Sequence, residues 1–489
     1  MSHPVYLGID VGTQSIRVLA SDATGRVLAL ASEPLTSRRD GVRHEQQPEE
    51  WWDATCLCCR RATESLGPDS RYIAGIAVDA TSGTLLLADR DLKPLTSALM
   101  YDDARAHIEA EEVNLAGEDL WSRLGYQMQT TWALPKLRWL AKHFPLPPDA
   151  RLLHQNDFIN ARLAGRYLAS DTSHSLKTGY DFLECRWPDE ILSHLDLNLS
   201  LLPEVTSPGR LIGQVCFDAA QQTSLPMNTA IYAGMTDSCA AQIAAGAVTP
   251  GSWNSVLGTT LVLKGVTTEL LRDPQRIIYS HRSSDGHWLP GGASSTGAGI
   301  LTREFPSADL HALNRAAEIA GPSSTIVYPL AGRGERFPFV SPDAVGFTLG
   351  SPASIEEHYS AILHGIAYLE RLALNYLRQL GAPMEGPFFF TGGAAQSREW
   401  NQIRSNALGR EISVPTIVEP ALGMAILVAS HHFPLHEACN RMIKIHETIS
   451  PNRNFATYSE QYDRFVDELN RRGWLPDAMV PENVPRVVA

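Results

Sequence analysis

Cysteine is scarce in this chain. Seven are spread over 489 residues, an odd number. Three cluster at Cys56, Cys58 and Cys59 in ATCLCCRRA. No spaced pair with a second pair or histidines downstream accompanies them, which excludes a structural zinc site. They read as buried thiols of a protein kept reduced, an expectation of a cytoplasmic location. Long apolar runs are absent, so no membrane-spanning helix is expected. The start MSHPVYLGID lacks the basic segment and small-residue cleavage site of a secretion signal. Basic residues are outnumbered, 41 Lys and Arg against 54 Asp and Glu, giving a formal net charge of −13. A surface built for nucleic acid or anionic lipid is therefore excluded. No Gly-Lys pair occurs, so there is no GxxxxGK[ST] phosphate loop. Protein-kinase signatures, HExxH and a nucleophile elbow are missing too.

What is present alternates. VYLGIDV, IRVLASD and GRVLALASE read as strands. The helix HEQQPEEWWDATCLCCRRATESLG follows, with Pro48 in its first turn, Glu49 and Glu50 at its positive end and Gly67 as its stop. IAGIAVDAT is the next buried strand. GSWNSVLGTTLVLKG restarts the pattern of the opening stretch. The run SIEEHYSAILHGIAYLERLALNYLRQLG predicts the strongest helix, with a capping box of Ser354 and Glu357 and a stop at Gly381. FFFTGGAAQSREWNQIRSNALG then reads as strand, glycine turn and helix. Two related α/β lobes, joined near Ala240 to Gly251 and enclosing a cleft, are the expectation.

Four places carry candidate chemistry. Asp10 ends the first strand, and Gly12, Thr13 and Gln14 follow. Such a turn offers N–H groups and a hydroxyl to an anion, and a carboxylate beside it can hold Mg2+ through water. Gly258, Thr259 and Thr260 could grip further phosphates. A Gly-Thr turn is also an ordinary hairpin closure. Asp237 opens a small-residue helix in YAGMTDSCAAQIAAG. It is either a cap or a general base taking the proton of an attacking hydroxyl. Gly392 and Gly393 let a flat ring or ribose approach the backbone, and Trp400 could stack on an adenine.

The order of the pieces is more specific than any one of them. IDVGTQSIR, EQQPEEWW, VDATSGTLLLAD, MYDDAR, GMTDSCAAQIAAGAVTPGSWNSVLGTT, GERFPF, TGGAAQSREWNQIRSNALGREISVP and EPALGMAILVA run from Val5 to about Tyr462. This set resembles the FGGY carbohydrate kinases. The resemblance implies an α/β fold of two actin-like, ribonuclease H-like lobes, with mixed sheets flanked by helices and a central cleft. It implies a sugar-binding lobe with the catalytic aspartates at 1–245, an ATP-binding lobe at 246–430, and a helical extension at 431–489 packing back on both.

Roles follow by motif. Asp237 would be the catalytic base and Asp10 the catalytic and Mg2+-binding carboxylate. Thr13, Gln14, Gly258, Thr259, Thr260, Gly392, Gly393 and Trp400 would bind ATP. Ser82, Asp102, Arg105 and Asp237 would hold the sugar. Ala394 and Ser397 depart from the glycine and asparagine of many relatives, which points to altered adenine binding. The implied partners are ATP, Mg2+ and a small sugar or polyol; nucleic acid and membrane are not among them, and a homodimer is a candidate assembly. DATSGT with RGERFPF resembles the D-ribulose kinase, xylulose kinase-like subgroup, so D-ribulose is the expected substrate, ahead of D-xylulose or another polyol. The rival from another class is an actin-like ATPase with no sugar acceptor.

Overall fold

The uninterrupted apolar run VYLGIDV is long enough for a strand covered on both faces, and it becomes β1 (Val5–Val11), buried throughout. In the computed structural model, which describes residues 4–453, 455–476 and 479, the chain divides into two units. Unit 1 comprises Met1–Val248, His281–Leu289 and Ile417–Lys444. Unit 2 comprises Thr249–Ser280, Pro290–Thr416 and Ile445–Ala489.

In unit 1, β1 is followed by β2 (Ser15–Ser21), β3 (Val27–Pro34), α1 (Pro48–Leu66), β4 (Ile73–Ala80), β5 (Leu211–Gln214), β6 (Ala230–Tyr232) and α2 (Asp237–Ala245). The sheet order is β5-β6-β4-β1-β2-β3. β1, β2 and β3 pair antiparallel in succession, whereas β4 runs parallel to β1 and β6 parallel to β4. α1 covers the sheet with Trp51, Trp52, Cys58 and Cys59. The three clustered thiols are buried, and burial pushes Cys56 up to about 12 and Cys58 to about 11. Unreactive packing groups result, as the sequence suggests.

Unit 2 opens with β7 (Trp253–Leu257), β8 (Leu261–Gly265) and β9 (Trp288–Ala293). A hairpin of β10 (Ile326–Glu335) and β11 (Ser341–Leu349) comes next, then α3 (Ile355–Gln379), β12 (Phe388–Thr391), α4 (Arg398–Leu408), β13 (Ile412–Pro415) and β14 (Ile445–Ile449). Here six strands of a seven-stranded sheet run β14-β13-β12-β7-β8-β9, and the strand Tyr279–Arg282 lies beyond β9 at the edge. β7, β8 and β9 are antiparallel neighbours; β12 is parallel to β7, β13 parallel to β12, and β14 antiparallel to β13. Each pairing repeats the one at the same place in unit 1, where β5 is antiparallel to β6. The restart read from GSWNSVLGTTLVLKG is thus a repeat of topology, not only of composition. α3 starts as expected: the Ser354 hydroxyl accepts the Glu357 N–H, though the Glu357 carboxylate reaches back to the Ala353 N–H. The fully buried Arg404–Glu370 ion pair joins α4 to α3, and Arg404 also donates to Ser255 on β7.

The first break between the units, after Val248, falls beside the expected division at 245, whereas the later one does not fall at 430. Residues 417–444 belong to unit 1 and 445–476 to unit 2, so 431–489 is not a separate extension; residues 480–489 of that stretch lie outside the described residues. Close packing explains where EPALGMAILVA goes. Its helix Pro420–Ala429 meets β1 where Gly8 has no side chain, and Gly423 sits equally close to Ala240 of α2. A Cβ on Gly8 would stand 1.7 Å from the Ala421 carbonyl oxygen. No described helix is long and apolar enough to cross a membrane.

Gly8→Ala should therefore force the helix off β1 and destabilise the protein by about 3 kcal/mol. A melting curve within one degree of wild type would show that contact to be dispensable.

Candidate active site

Strand register assembles the acidic side of the site within unit 1. Asp10 lies opposite Arg17 on β2 and opposite Asp79 on β4. One residue further on, Ala80 bridges in parallel to Thr236, whose successor Asp237 begins α2. Residues 10, 79 and 237, distant in the chain, thus arrive at the same ends of three neighbouring parallel strands. The sequence reading named Asp10 and Asp237 and missed Asp79, although VDATSGT contains it. Its signal was a carboxylate at the end of an otherwise apolar strand, the same signal that singled out Asp10.

The three carboxylates repel one another. Burial, and after it the charge of Asp237, pushes Asp10 up to about 6; Arg17, 3.6 Å away, pulls the other way. Asp79 is fully buried and held well above the usual carboxylate range, by burial first and then by Asp10 and Asp237. Neither Asp79 oxygen receives a hydrogen bond from a fixed donor among the described residues. Asp10 and Asp79 can bond to each other only by sharing a proton. Asp237 is half-buried, and its Oδ1 accepts the Ser238 N–H at 2.7 Å.

This charge balance bears on Mg2+. Among the described residues, no group of three His, Cys, Asp or Glu side chains is arranged to ligate a metal directly. A carboxylate short of positive charge beside the open turn Gly12–Ser15 fits an ion that keeps most of its waters and takes its other ligands from phosphates. In that turn the Gly12 N–H bonds back to Ser15 and the Gln46 side chain holds the Thr13 carbonyl, while Gln14 is exposed.

The predicted sugar residues divide. Ser82 lies in the turn after β4, with its hydroxyl buried and unpartnered, and Lys177 donates to its carbonyl at 3.2 Å. Leu85 pairs antiparallel with Leu99, so Ser82 and Asp102 flank the same end of that strand pair. Asp102 accepts from the His44 ring at 2.5 Å and from Arg39 at 2.9 Å; burial opposes its ionisation, but these bonds hold it below the usual range. Arg105 is buried and engaged elsewhere. It grips Asp103 at 2.9 and 2.7 Å and Glu45 at 2.6 Å. Asp103 and Lys177 went unnoticed in the sequence, because a buried ion pair and a lysine in the short 3-10 turn Leu176–Thr178 carry no local pattern.

Apart from Thr13 and Gln14, the nucleotide candidates lie in unit 2, where register again collects them. The turn Gly258–Thr260 joins β7 to β8, and its carbonyls accept the N–H groups of Ala298 and Gly299. Gly392 follows β12 with φ +84°, and a Cβ there would stand 2.6 Å from the Leu257 carbonyl oxygen. Only glycine lets the TGG turn sit against the end of β7, beside the 258–260 turn. A Cβ on Gly258 or Gly393 would meet nothing within 4 Å, so both backbones are open to a ligand. Trp400 departs from expectation: it is 3% exposed and packed in the unit 2 core, with no face to offer an adenine. At Ser397 the side chain caps α4 by accepting the Trp400 N–H.

Comparison with known proteins gives the family and the fold. Residues 5–244 match the N-terminal domain of the FGGY family of carbohydrate kinases, and residues 253–431 match its C-terminal domain. A xylulose kinase of Streptomyces rubiginosus is 29% identical over 438 residues, 87% of this chain and 88% of that protein. One of Klebsiella pneumoniae is 28% identical over 458 residues, covering 89% and 91%. Among solved structures, a xylulose kinase from Rhodospirillum rubrum superposes with a TM-score of 0.87 at 23% identity over 96% of this chain and 99% of that one. Plasmodium falciparum glycerol kinase with ADP does so at 0.85 and 18% identity, over 96% and 98%. Two matched domains covering most of the chain, on two copies of one mixed-sheet topology, make this protein a member of the FGGY family of carbohydrate kinases and an ATP-dependent sugar kinase.

Proposed function

We propose that this kinase phosphorylates a five-carbon ketose on a hydroxyl, with Asp237 as the general base and D-xylulose as the preferred substrate. The observation that carries the substrate is the name printed for most of the curated relatives, xylulose kinases from several bacterial genera matching 86–96% of the chain, beside one probable L-xylulose kinase of Pasteurella multocida. D-ribulose is the second reading, favoured by the motif DATSGT around Ser82. An ATPase without a sugar acceptor is disfavoured by membership of a carbohydrate kinase family.

In this reading the sugar lies against Ser82, Asp102 and Asp237. Asp237, half-buried at the start of α2, accepts the proton of the attacking hydroxyl. Proton loss is late, because phosphoryl transfer passes through a loose transition state. In unit 2 the turn Gly258–Thr260 donates to the phosphates, and the open backbone at Gly392 and Gly393 receives the adenosine; Thr13 and Gln14 are the phosphate donors of unit 1. Asp10 would hold Mg2+ through water; the ion supplies positive charge to the phosphates. Arg105 acts on the sugar only indirectly, by holding Asp103 and Glu45 in the strand layer behind it. Water must be kept from the γ-phosphorus, since it competes with the sugar as a nucleophile.

ADP release measured with ATP alone and with D-xylulose, D-ribulose and glycerol tests the reading. Stimulation by D-xylulose above the others is expected; stimulation by D-ribulose alone would transfer the assignment to the second reading, and stimulation by none would end both. Asp237→Ala should lower kcat by about two to four decades, and near-wild-type turnover would remove it as the base. Asp10→Asn should have opposite effects on activity and stability. The folded protein binds the Asp10 proton more tightly than the unfolded chain does, so its ionised carboxylate destabilises the fold above pH 6, and that cost is relieved as the pH falls from about 6 towards 4. At pH 7.5 the variant should lose activity yet melt higher, by up to about 3 kcal/mol of added stability. A lower melting temperature in the absence of nucleotide would refute the crowding of carboxylates.

A further inference from the structure

Behind Asp237 lies a polar cluster that the reaction as described does not use. Asp171 is fully buried and serves as its hub. Its Oδ1 accepts the Ser173 N–H at 2.8 Å, the Ser173 hydroxyl at 2.6 Å and the His174 N–H at 3.0 Å. Its Oδ2 accepts from the His174 ring Nδ1 at 2.7 Å and from the Asn156 side chain at 3.0 Å. Burial opposes a charged imidazole, but the Asp171 carboxylate outweighs it and raises His174, whose Nδ1 is bonded to the carboxylate at 2.7 Å.

The Ser173 hydroxyl is the link to the site. It has one proton, and Asp171 takes it. Its lone pairs then face the Thr236 N–H, which donates to it at 2.9 Å. The direction of both bonds is set by chemistry: an ionised carboxylate cannot donate and a backbone N–H cannot accept. Thr236 is the N-cap residue of α2, yet its own side chain makes no capping bond, and its hydroxyl is buried without a partner. The residue just before Asp237 is thus held by Ser173 on one side and by the bridge to Ala80 on the other. The Thr236 N–H is one that a capping bond from its own side chain could not satisfy, and the Ser173 hydroxyl takes it up.

We propose that Ser173, anchored by the Asp171–His174 pair, is a positioning residue for Asp237. The bond from Ser173 fixes the backbone at Thr236 and so fixes where the Asp237 carboxylate meets the sugar hydroxyl. This inference rests on the reading of Asp237 as the base. A carboxylate displaced by about an ångström can lose up to about two decades in rate while its ligands still bind. Loss of the relay should therefore appear chiefly in kcat, with the KM for ATP unchanged.

The experiment compares Ser173→Ala, Ser173→Thr and Asp237→Ala in the full chain, with ATP and the ketose that stimulates ADP release. Ser173→Ala should lower kcat about 10-fold or more, leave the KM for ATP within about 2-fold, change the KM for the sugar by less than it changes kcat, and melt within a few degrees of wild type. Ser173→Thr, which keeps the hydroxyl, should recover most of the rate. A Ser173→Ala protein with wild-type kcat, beside an inactive Asp237→Ala, overturns the relay and leaves the base in place. If Asp237→Ala is itself fully active, the reading of the base fails first. A rise in both KM values with kcat unchanged also overturns the relay. Should Ser173→Ala not fold, amide exchange in the wild-type protein decides: a Thr236 N–H exchanging as slowly as its β4 neighbours supports the bond to Ser173, and one exchanging at loop rates overturns it.

Discussion

Carboxylates that repel one another are brought together at the ends of β1, β4 and β6, and most of unit 1 follows from holding them there. Asp10 and Asp79 face each other across a parallel strand pair, with Asp237 close enough to raise both. Such an arrangement destabilises the fold by itself. Its persistence depends on the strands being covered on both faces: by α1 with its two tryptophans on one, and on the other by the helix Pro420–Ala429, which approaches β1 only because residue 8 is glycine. The tight packing and the charged end belong to the same strand. A sheet able to slip by one residue would move Asp10 to the opposite face.

The same six-strand topology occurs twice, with only one copy acidic. At the places matching Asp10 and Asp79, unit 2 carries Val256 and Thr391, which also face each other across a parallel pair. In the proposed reading this turn meets phosphates, and carboxylates there would repel them. What unit 2 supplies is exposed backbone: glycines at 258 and 393 with no neighbour in the way, and Gly392 pressed against Leu257 so that the two turns stay side by side. One scaffold thus serves two chemistries through a change of residues at equivalent strand ends.

Much of this was legible in the chain. Asp10 announced itself as a carboxylate ending an apolar strand, and the second lobe as a repeat of the first. Asp79 carried the same mark but stood beside the more familiar-looking Ser82, and its parallel partner lies 69 positions back (79 − 10), beyond any local pattern. Trp400 read as a ring free to stack because it follows the glycine turn on a helix; burial in the core decided otherwise. Arg105 looked like a ligand for sugar, and the carboxylate beside it, Asp103, claims it. The stretch 417–444 follows the second lobe in the chain and packs in the first, since a helix goes where its small residues allow the closest contact.

By itself the sequence determined the elements, the doubled α/β pattern, the family and the residues able to bear charge or open the backbone, because each depends on neighbours a few positions away. Which carboxylates meet, which arginine is already paired, which tryptophan is covered and which hydroxyl steadies Asp237 were decided only in three dimensions. Those outcomes depend on strand register and burial, and both are set by contacts between segments that lie far apart along the chain.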